Sequence, residues 1–369
     1  MPIDIIDIPQ RYTPEATLVI WENRDGIRAM KHPGHAALLL RRFNFTTLNG
    51  NWDPTRVRYV SFFPGGGREK SSMARPAQFS AHYFWDMKFE MSDRAQEGLR
   101  AKTLQRRRGQ YLIQHDLSQD DPVEIYGQMA DGILPMPAMS LSDRYRWGID
   151  LNRIVTWALN FRTSKDFNYE FVSKSNNCAG VAIRALRAGG GEAFASVVGG
   201  APNMTLYATP KDCIQIGDAV MEGIRRANQM MAYLNGVVDR KFNLLGGVHA
   251  TRDPSELYTA ADWKRDSYVA LKTRGLILRS IDSALEKYHR LTWDNNYPEK
   301  LTAYMAVLKG VYDHFQVSTS GKREPAFVVL ATQLLFTWTI LAAEAELGWD
   351  ARSYYGTRDP FASKSDKKK

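Results

Sequence analysis

Apolar positions along this chain fall into two regimes. Up to about residue 125 they come in short runs, rich in β-branched and aromatic residues and bounded by turn chemistry. Predicted strands are Thr17–Trp21, His35–Leu40, Arg58–Phe63, His82–Phe89 and Pro122–Tyr126, the pattern of an antiparallel sheet. Pro64 and three glycines stop the third run, and Gly65 to Gln78, with its glycines and charges, is expected to be a loop.

From about residue 140 the apolar period lengthens to that of a helix. Ser142 or Asp143 is expected to cap a helix running through Trp157 and Leu159. After Cys178, the pairs Val181–Ala182 and Ala185–Leu186 recur at helical spacing until Gly189-Gly190-Gly191 stops the run. Beyond Pro202 and Pro210 the spacing predicts helices over 211–242, 261–288, 298–315 and 324–347. The last carries Phe327, Val328, Leu330, Leu334, Leu335, Trp338 and Leu341, an apolar face that needs a partner. It wraps too far around the helix for a purely interfacial segment, so packing within a bundle is expected. The chain is therefore expected to be α+β: an enzyme-like sheet-and-helix domain over 1–205, an all-helical lobe over 206–350, and a basic disordered tail over 351–369.

Composition narrows this picture only a little. The 369 residues are 44% hydrophobic and 24% charged, ordinary for a globular protein with a large core. No apolar run is long enough to span a bilayer, and Met1–Asp7 has no basic leader, so no cleaved signal peptide is expected. Two cysteines argue against a disulfide framework and for synthesis in a reducing cytosol. The net charge of +9 suits an anionic membrane surface or an acidic partner. Much of it lies in Arg100–Arg108 and in Lys364 and Lys367–Lys369, which a solvated face and a tail also explain. No zinc-finger, RNP-like or helix-turn-helix signature supports nucleic-acid binding.

The candidate chemistry centres on Cys178. Polar residues lead up to it and the apolar helix begins directly after it, which places the sulfur at a helix N-terminus where the dipole and unpaired N–H groups favour a thiolate. Taken alone, a buried cysteine starting a helix is more often packing than catalysis. A nucleophile needs a base and an orienting group for that base. Pro33-Gly34 delivers His35 onto the first residue of an apolar strand, whereas His32 precedes proline in a loop and His82 could also approach. His115, His249, His289 and His314 have charged neighbours that suit surface roles. Asp86 interrupts the aromatic run Tyr83-Phe84-Trp85 and would be costly to bury unpaired, with Glu90 and Asp116 as weaker alternatives. Alternation could equally turn Asp86 to water. Gly65-Gly66-Gly67 lacks the ending of a phosphate loop. His32 and His35 have no third metal ligand at useful spacing. Cys213 starts a helix among Ile214 and Ile216 and is expected to be a core thiol.

Gly34-His35-Ala36-Ala37-Leu38, Tyr59-Val60-Ser61-Phe62-Phe63-Pro64, and Asn177-Cys178 followed by a helix ending in glycines together resemble the circularly permuted papain-like (NlpC/P60-type) thiol enzymes. The nearer likeness is to the Rho-inactivation domain of MARTX toxins and the IcsB and BopA effectors. That group orders its triad His, Asp, Cys along the chain, as His35, Asp86 and Cys178 do, and the resemblance covers about residues 15–200. It implies a permuted papain-like sheet with the Cys on a helix, and thiol-dependent acyl transfer. His35 would be the base, Asp86 its orienting partner, and the Cys178 N–H an oxyanion donor. The implied reaction is fatty acyl transfer to protein lysines, with acyl-CoA as co-substrate and no bound cofactor or metal. A cysteine peptidase or amidase is one alternative, and a partner-binding protein with a degenerate papain-like half is another. Expected partners are a protein or peptide substrate, with an anionic membrane surface and a cognate immunity protein or chaperone as further candidates. The expected route is synthesis in a bacterial cytoplasm and secretion, without a cleaved signal peptide, into a target cell.

Overall fold

The computed structural model describes residues 15–22, 34–41, 59–64, 74–79, 86, 110–115, 123–128, 130–139, 146–200, 207–244, 279–291, 296–317 and scattered positions from 330 to 345. It is α+β. Six strands form one antiparallel sheet: β1 (Glu15–Trp21), β2 (His35–Arg41), β3 (Tyr59–Pro64), β4 (Ala74–Phe79), β7 (Gly132–Pro137) and β8 (Asn168–Glu170), in the order β7-β1-β2-β3-β4-β8. A separate hairpin pairs β5 (Gln110–His115) with β6 (Val123–Gln128). The described helices are α1 (Leu151–Arg162), α2 (Cys178–Ala188), α3 (Gly191–Val197), α4 (Pro210–Leu244), α5 (Arg279–Arg290) and α6 (Tyr297–Val317). None is long and apolar enough to cross a membrane.

The chain makes two compact units, each assembled from several segments. The first takes residues 1–138, 153–186 and 202–218; the second takes 139–152, 187–201 and 219–369.

In the first unit, β1 and β2 are nearly continuous apolar runs because both sheet faces are covered, and Leu18, Ile20, Ala36 and Leu38 are fully buried or within 1% of it. Phe62 of β3 anchors one face, with Phe79, Phe161, Phe167 and Tyr169 at ring-centroid distances between 5.4 and 5.8 Å. Burying a side chain of this size contributes about 1.5–3 kcal/mol. Gly34 has φ of 79°, a left-handed conformation that side chains resist, and it turns the chain so that His35 begins β2.

The second unit is held by an aromatic core. Trp147 packs on Phe194, Tyr304 and Trp338 with centroids 6.2, 5.3 and 6.0 Å away, and Asn228 clamps its backbone, accepting from the Trp147 N–H and donating to its carbonyl. Of the apolar face expected of the last helix, Leu330, Leu334, Trp338 and Leu341 are buried here and Leu335 is partly buried, while Phe327 and Val328 lie outside the described residues.

Three expectations are corrected. All of β4 except Phe79 lies in the stretch expected to be a loop; it is a strand because Phe79 pairs opposite Phe62 on one side and Arg75 opposite Tyr169 on the other. The backbone at Asp86 is helical, within the expected strand over 82–89. The helix expected from Ser142 or Asp143 begins only at Leu151. Residues ahead of it are held extended by bonds from the Met139 N–H to the Ile149 carbonyl and from the Asp150 N–H to the Gly189 carbonyl, and such tertiary pairing overrides local propensity. The tail over 351–369, the basic block over 100–108 and Gly65–Gly67 lie outside the described residues.

Candidate active site

The site is built from the start of β2, the strand β3 beside it, Asp86 and the start of one helix, all in the first unit. Trp21, the last residue of β1, pairs with His35, the first of β2. The imidazole is stacked on Phe63, with centroids 4.2 Å apart and planes at 19°, and lies 5.7 Å from the Trp21 ring. Ala37 pairs opposite Ser61, so period-2 alternation puts His35, Ser61 and Tyr59 on one face of the sheet.

Asp86 reaches this face fully buried. Its Oδ2 accepts hydrogen bonds from the Ser61 hydroxyl at 2.6 Å and from the Tyr59 hydroxyl, and lies 3.3 Å from His35 Nε2. Ser61 Oγ and His35 Nε2 are hydrogen-bonded at 2.8 Å. Asp86 Oδ1 is buried with no hydrogen-bond partner among the described residues.

Cys178 is the first residue of α2 and 8% exposed. Asn177 caps the helix: its Oδ1 accepts from the Gly180 N–H at 2.7 Å, and its carbonyl accepts from the Val181 N–H. Its amide nitrogen donates outward to the carbonyls of Ala208 at 2.8 Å and Phe171 at 3.3 Å. The approach to the helix is pinned by Ser173 Oγ, which accepts from the N–H groups of Ser175 and Asn176. A side chain at Gly180 would place its Cβ 2.6 Å from the Lys174 carbonyl oxygen, so the loop passes where only glycine fits.

Electrostatics ties the three candidates together. Burial is the largest influence on His35 and acts to lower its pKa, but charge and hydrogen bonding from Asp86, then hydrogen bonding and charge from Cys178, carry it well above the ordinary value. Burying an ion costs several kcal/mol, and a charge pair at about 4 Å returns ~4 kcal/mol at an effective dielectric of 20. The two partners together are enough to reverse the burial penalty.

His35, Asp86 and Cys178 therefore meet. Cys213 is fully buried, with its thiol donating to the Ala179 carbonyl at 3.7 Å. Burial, then Cys178 and Asp212, push its pKa well above the usual thiol range. His115 ends β5, and His289 and His314 belong to helices of the second unit. His32, His82, His249, Glu90 and Asp116 lie outside the described residues. Among the described residues no group of three or more His, Cys, Asp or Glu is placed to hold a metal ion. Sequence reasoning assigned no role to Ser61, Tyr59 or the side chain of Asn177. The signals were present: a serine inside an apolar strand, and an asparagine directly before a helix.

Fold and site together define an α+β protein in which an imidazole on a central strand, beside a buried carboxylate, meets a helix-starting thiol. The family model of the IcsB middle domain matches residues 10–129 and 139–242, more than half of the chain and including all three of these residues, so the chain belongs to that family. It is a bacterial effector-like protein by that relation. Comparison with curated proteins and with solved structures gives no match.

Proposed function

We propose that this chain is a cysteine-dependent acyl-transfer enzyme of the circularly permuted papain-like kind, moving a fatty acyl group from a thioester such as acyl-CoA to a protein lysine. The observation that carries it is the pairing of His35 with both Asp86 and Cys178. With Nε2 turned toward Ser61 and Asp86, Nδ1 is the ring nitrogen left for the thiol. His35 Nδ1 takes the thiol proton and the Cys178 thiolate attacks the thioester carbonyl. The tetrahedral adduct then collapses, expelling the donor's thiolate, which takes that proton from Nδ1. A lysine amine attacks the acyl-enzyme, passes a proton to Nδ1, and releases the Cys178 thiolate. The Cys178 N–H at the start of α2 would help hold each oxyanion.

Family membership supports action as an effector delivered into a host cell, and a net charge of +9 suits a protein acceptor at an anionic membrane surface. Intact-mass analysis after incubation with long-chain acyl-CoA tests the reading. Wild-type protein should acquire an acyl adduct on Cys178 and pass it to lysines of an added acceptor, and Cys178→Ala should do neither. Cleavage of an amide in the acceptor without an adduct would move the site to the peptidase or amidase class. No adduct and no cleavage, with Cys178 no more reactive than Cys213, would favour a binding role.

A further inference from the structure

We propose that Asp86 acts on His35 through the hydroxyl of Ser61, making Ser61 a positioning residue in a four-membered relay from Cys178 to His35, Ser61 and Asp86. The inference rests on the thiol-enzyme reading above and adds a member to its site.

Proton counting carries the argument. A carboxylate oxygen only accepts, so the 2.6 Å contact between Ser61 Oγ and Asp86 Oδ2 commits the single hydroxyl proton to Asp86. The 2.8 Å contact between Ser61 Oγ and His35 Nε2 must then be the ring N–H donating to the hydroxyl oxygen. Direct contact between Nε2 and Oδ2, at 3.3 Å, is longer than both and lies beyond the usual range for an N–H···O bond. Tyr59 donates to the same Oδ2. With Oδ1 unpartnered among the described residues, the carboxylate is aimed through Oδ2. Phe63 and Trp21 fix the plane in which the ring meets this chain.

Nε2 is therefore protonated in the neutral ring and in the imidazolium alike, and Nδ1 is the nitrogen that gains and loses a proton. Without Asp86 as acceptor, the Ser61 hydroxyl can rotate and donate to Nε2. That favours the Nδ1–H tautomer, which presents the thiol with a donor where proton transfer requires an acceptor.

The test uses the full chain and two readouts that need no acyl substrate: ring-nitrogen NMR of His35 above its titration, and iodoacetamide alkylation of Cys178 followed by peptide mass spectrometry. Wild-type protein should show the Nε2–H tautomer. Ser61→Ala and Asp86→Asn should each give mixed tautomers and slow alkylation about tenfold or more, and the double variant should be no slower than the slower single. Ser61→Thr, which keeps the hydroxyl, should restore both readouts. Wild-type behaviour of Ser61→Ala, or single losses that multiply in the double variant, would overturn the relay. So would a folded Ser61→Thr that behaves like Ser61→Ala. If the relay behaves as expected and no acyl adduct forms, the proposed function fails and the relay stands.

Discussion

Asn177 joins the start of the Cys178 helix to a distant segment: its side chain accepts from the Gly180 N–H and donates to the Ala208 carbonyl, 2.7 and 2.8 Å away. One amide thus fixes both the helix end that carries the thiol and the strand of chain beside it. Its orientation is determined by chemistry, because only the oxygen can serve the N–H and only the nitrogen can serve the carbonyl.

Asn177→Ala should therefore lower stability by about 1–3 kcal/mol, the combined cost of a lost cap and an unsatisfied buried carbonyl. Asn177→Asp keeps the cap but turns an acceptor toward the carbonyls of Ala208 and Phe171. Denaturant melts should show it destabilised as well. An Asn177→Asp protein as stable as wild type would show that the outward bonds contribute little.

The two thiols should separate by reactivity. Cys178 starts a helix beside His35, whereas Cys213 is fully buried, donates to Ala179 and has a pKa pushed up first by burial. Thiolate is the reactive form, so iodoacetamide at neutral pH should label Cys178 at least about tenfold faster than Cys213. Equal, slow labelling of both, read by peptide mass spectrometry, would remove the basis for a nucleophile at 178.

Much of this arrangement was legible from spacing alone. β1, β2 and β3 are apolar runs between turn residues, and the long helix Pro210–Leu244 keeps its apolar period throughout. His35 and Cys178 stood out because each sits where local chemistry changes, after a Pro-Gly turn and before an apolar helix. β4 was hidden because Ala74-Arg75-Pro76-Ala77-Gln78-Phe79 has no strand pattern and a proline; its neighbours β3 and β8 make it a strand. Asp86 drew attention as a charge in an aromatic run, but its helical backbone and its contacts with Tyr59 and Ser61 depend on tertiary approach. Ser61 is visible in the sequence as a serine inside an apolar strand, but its role comes from the same tertiary approach.

His35 gives the site a defined pH dependence. Its pKa is raised above 6.5 in the folded protein because Asp86 and Cys178 outweigh the lowering effect of burial. A histidine raised by folding adds stability that is fully present below its unfolded pKa and is lost as pH rises through the folded value. The Tm advantage of wild type over His35→Gln should accordingly shrink as pH climbs above 6.5. Asp86→Asn removes a raising influence and leaves burial in place, so NMR titration should show His35 shifted down. An unchanged titration midpoint would place the charge coupling elsewhere.

Gly180 offers a test of how tightly the thiol is held. An added Cβ would lie 2.6 Å from the Lys174 carbonyl oxygen and 2.9 Å from the carbonyl carbons of Lys174 and Ser175. These are backbone atoms, so no side-chain rotation relieves the clash. Either the loop over 173–177 moves away or the first turn of α2 shifts, and both displace Cys178 relative to His35. Gly180→Ala should cost about 1–3 kcal/mol, as overpacking does, and should also slow alkylation of Cys178. A Gly180→Ala protein with lowered Tm but wild-type alkylation would show that the loop yields and the thiol stays in place. Loss of both together is the expected result, because the Asn177 cap bonds to the N–H of this same residue.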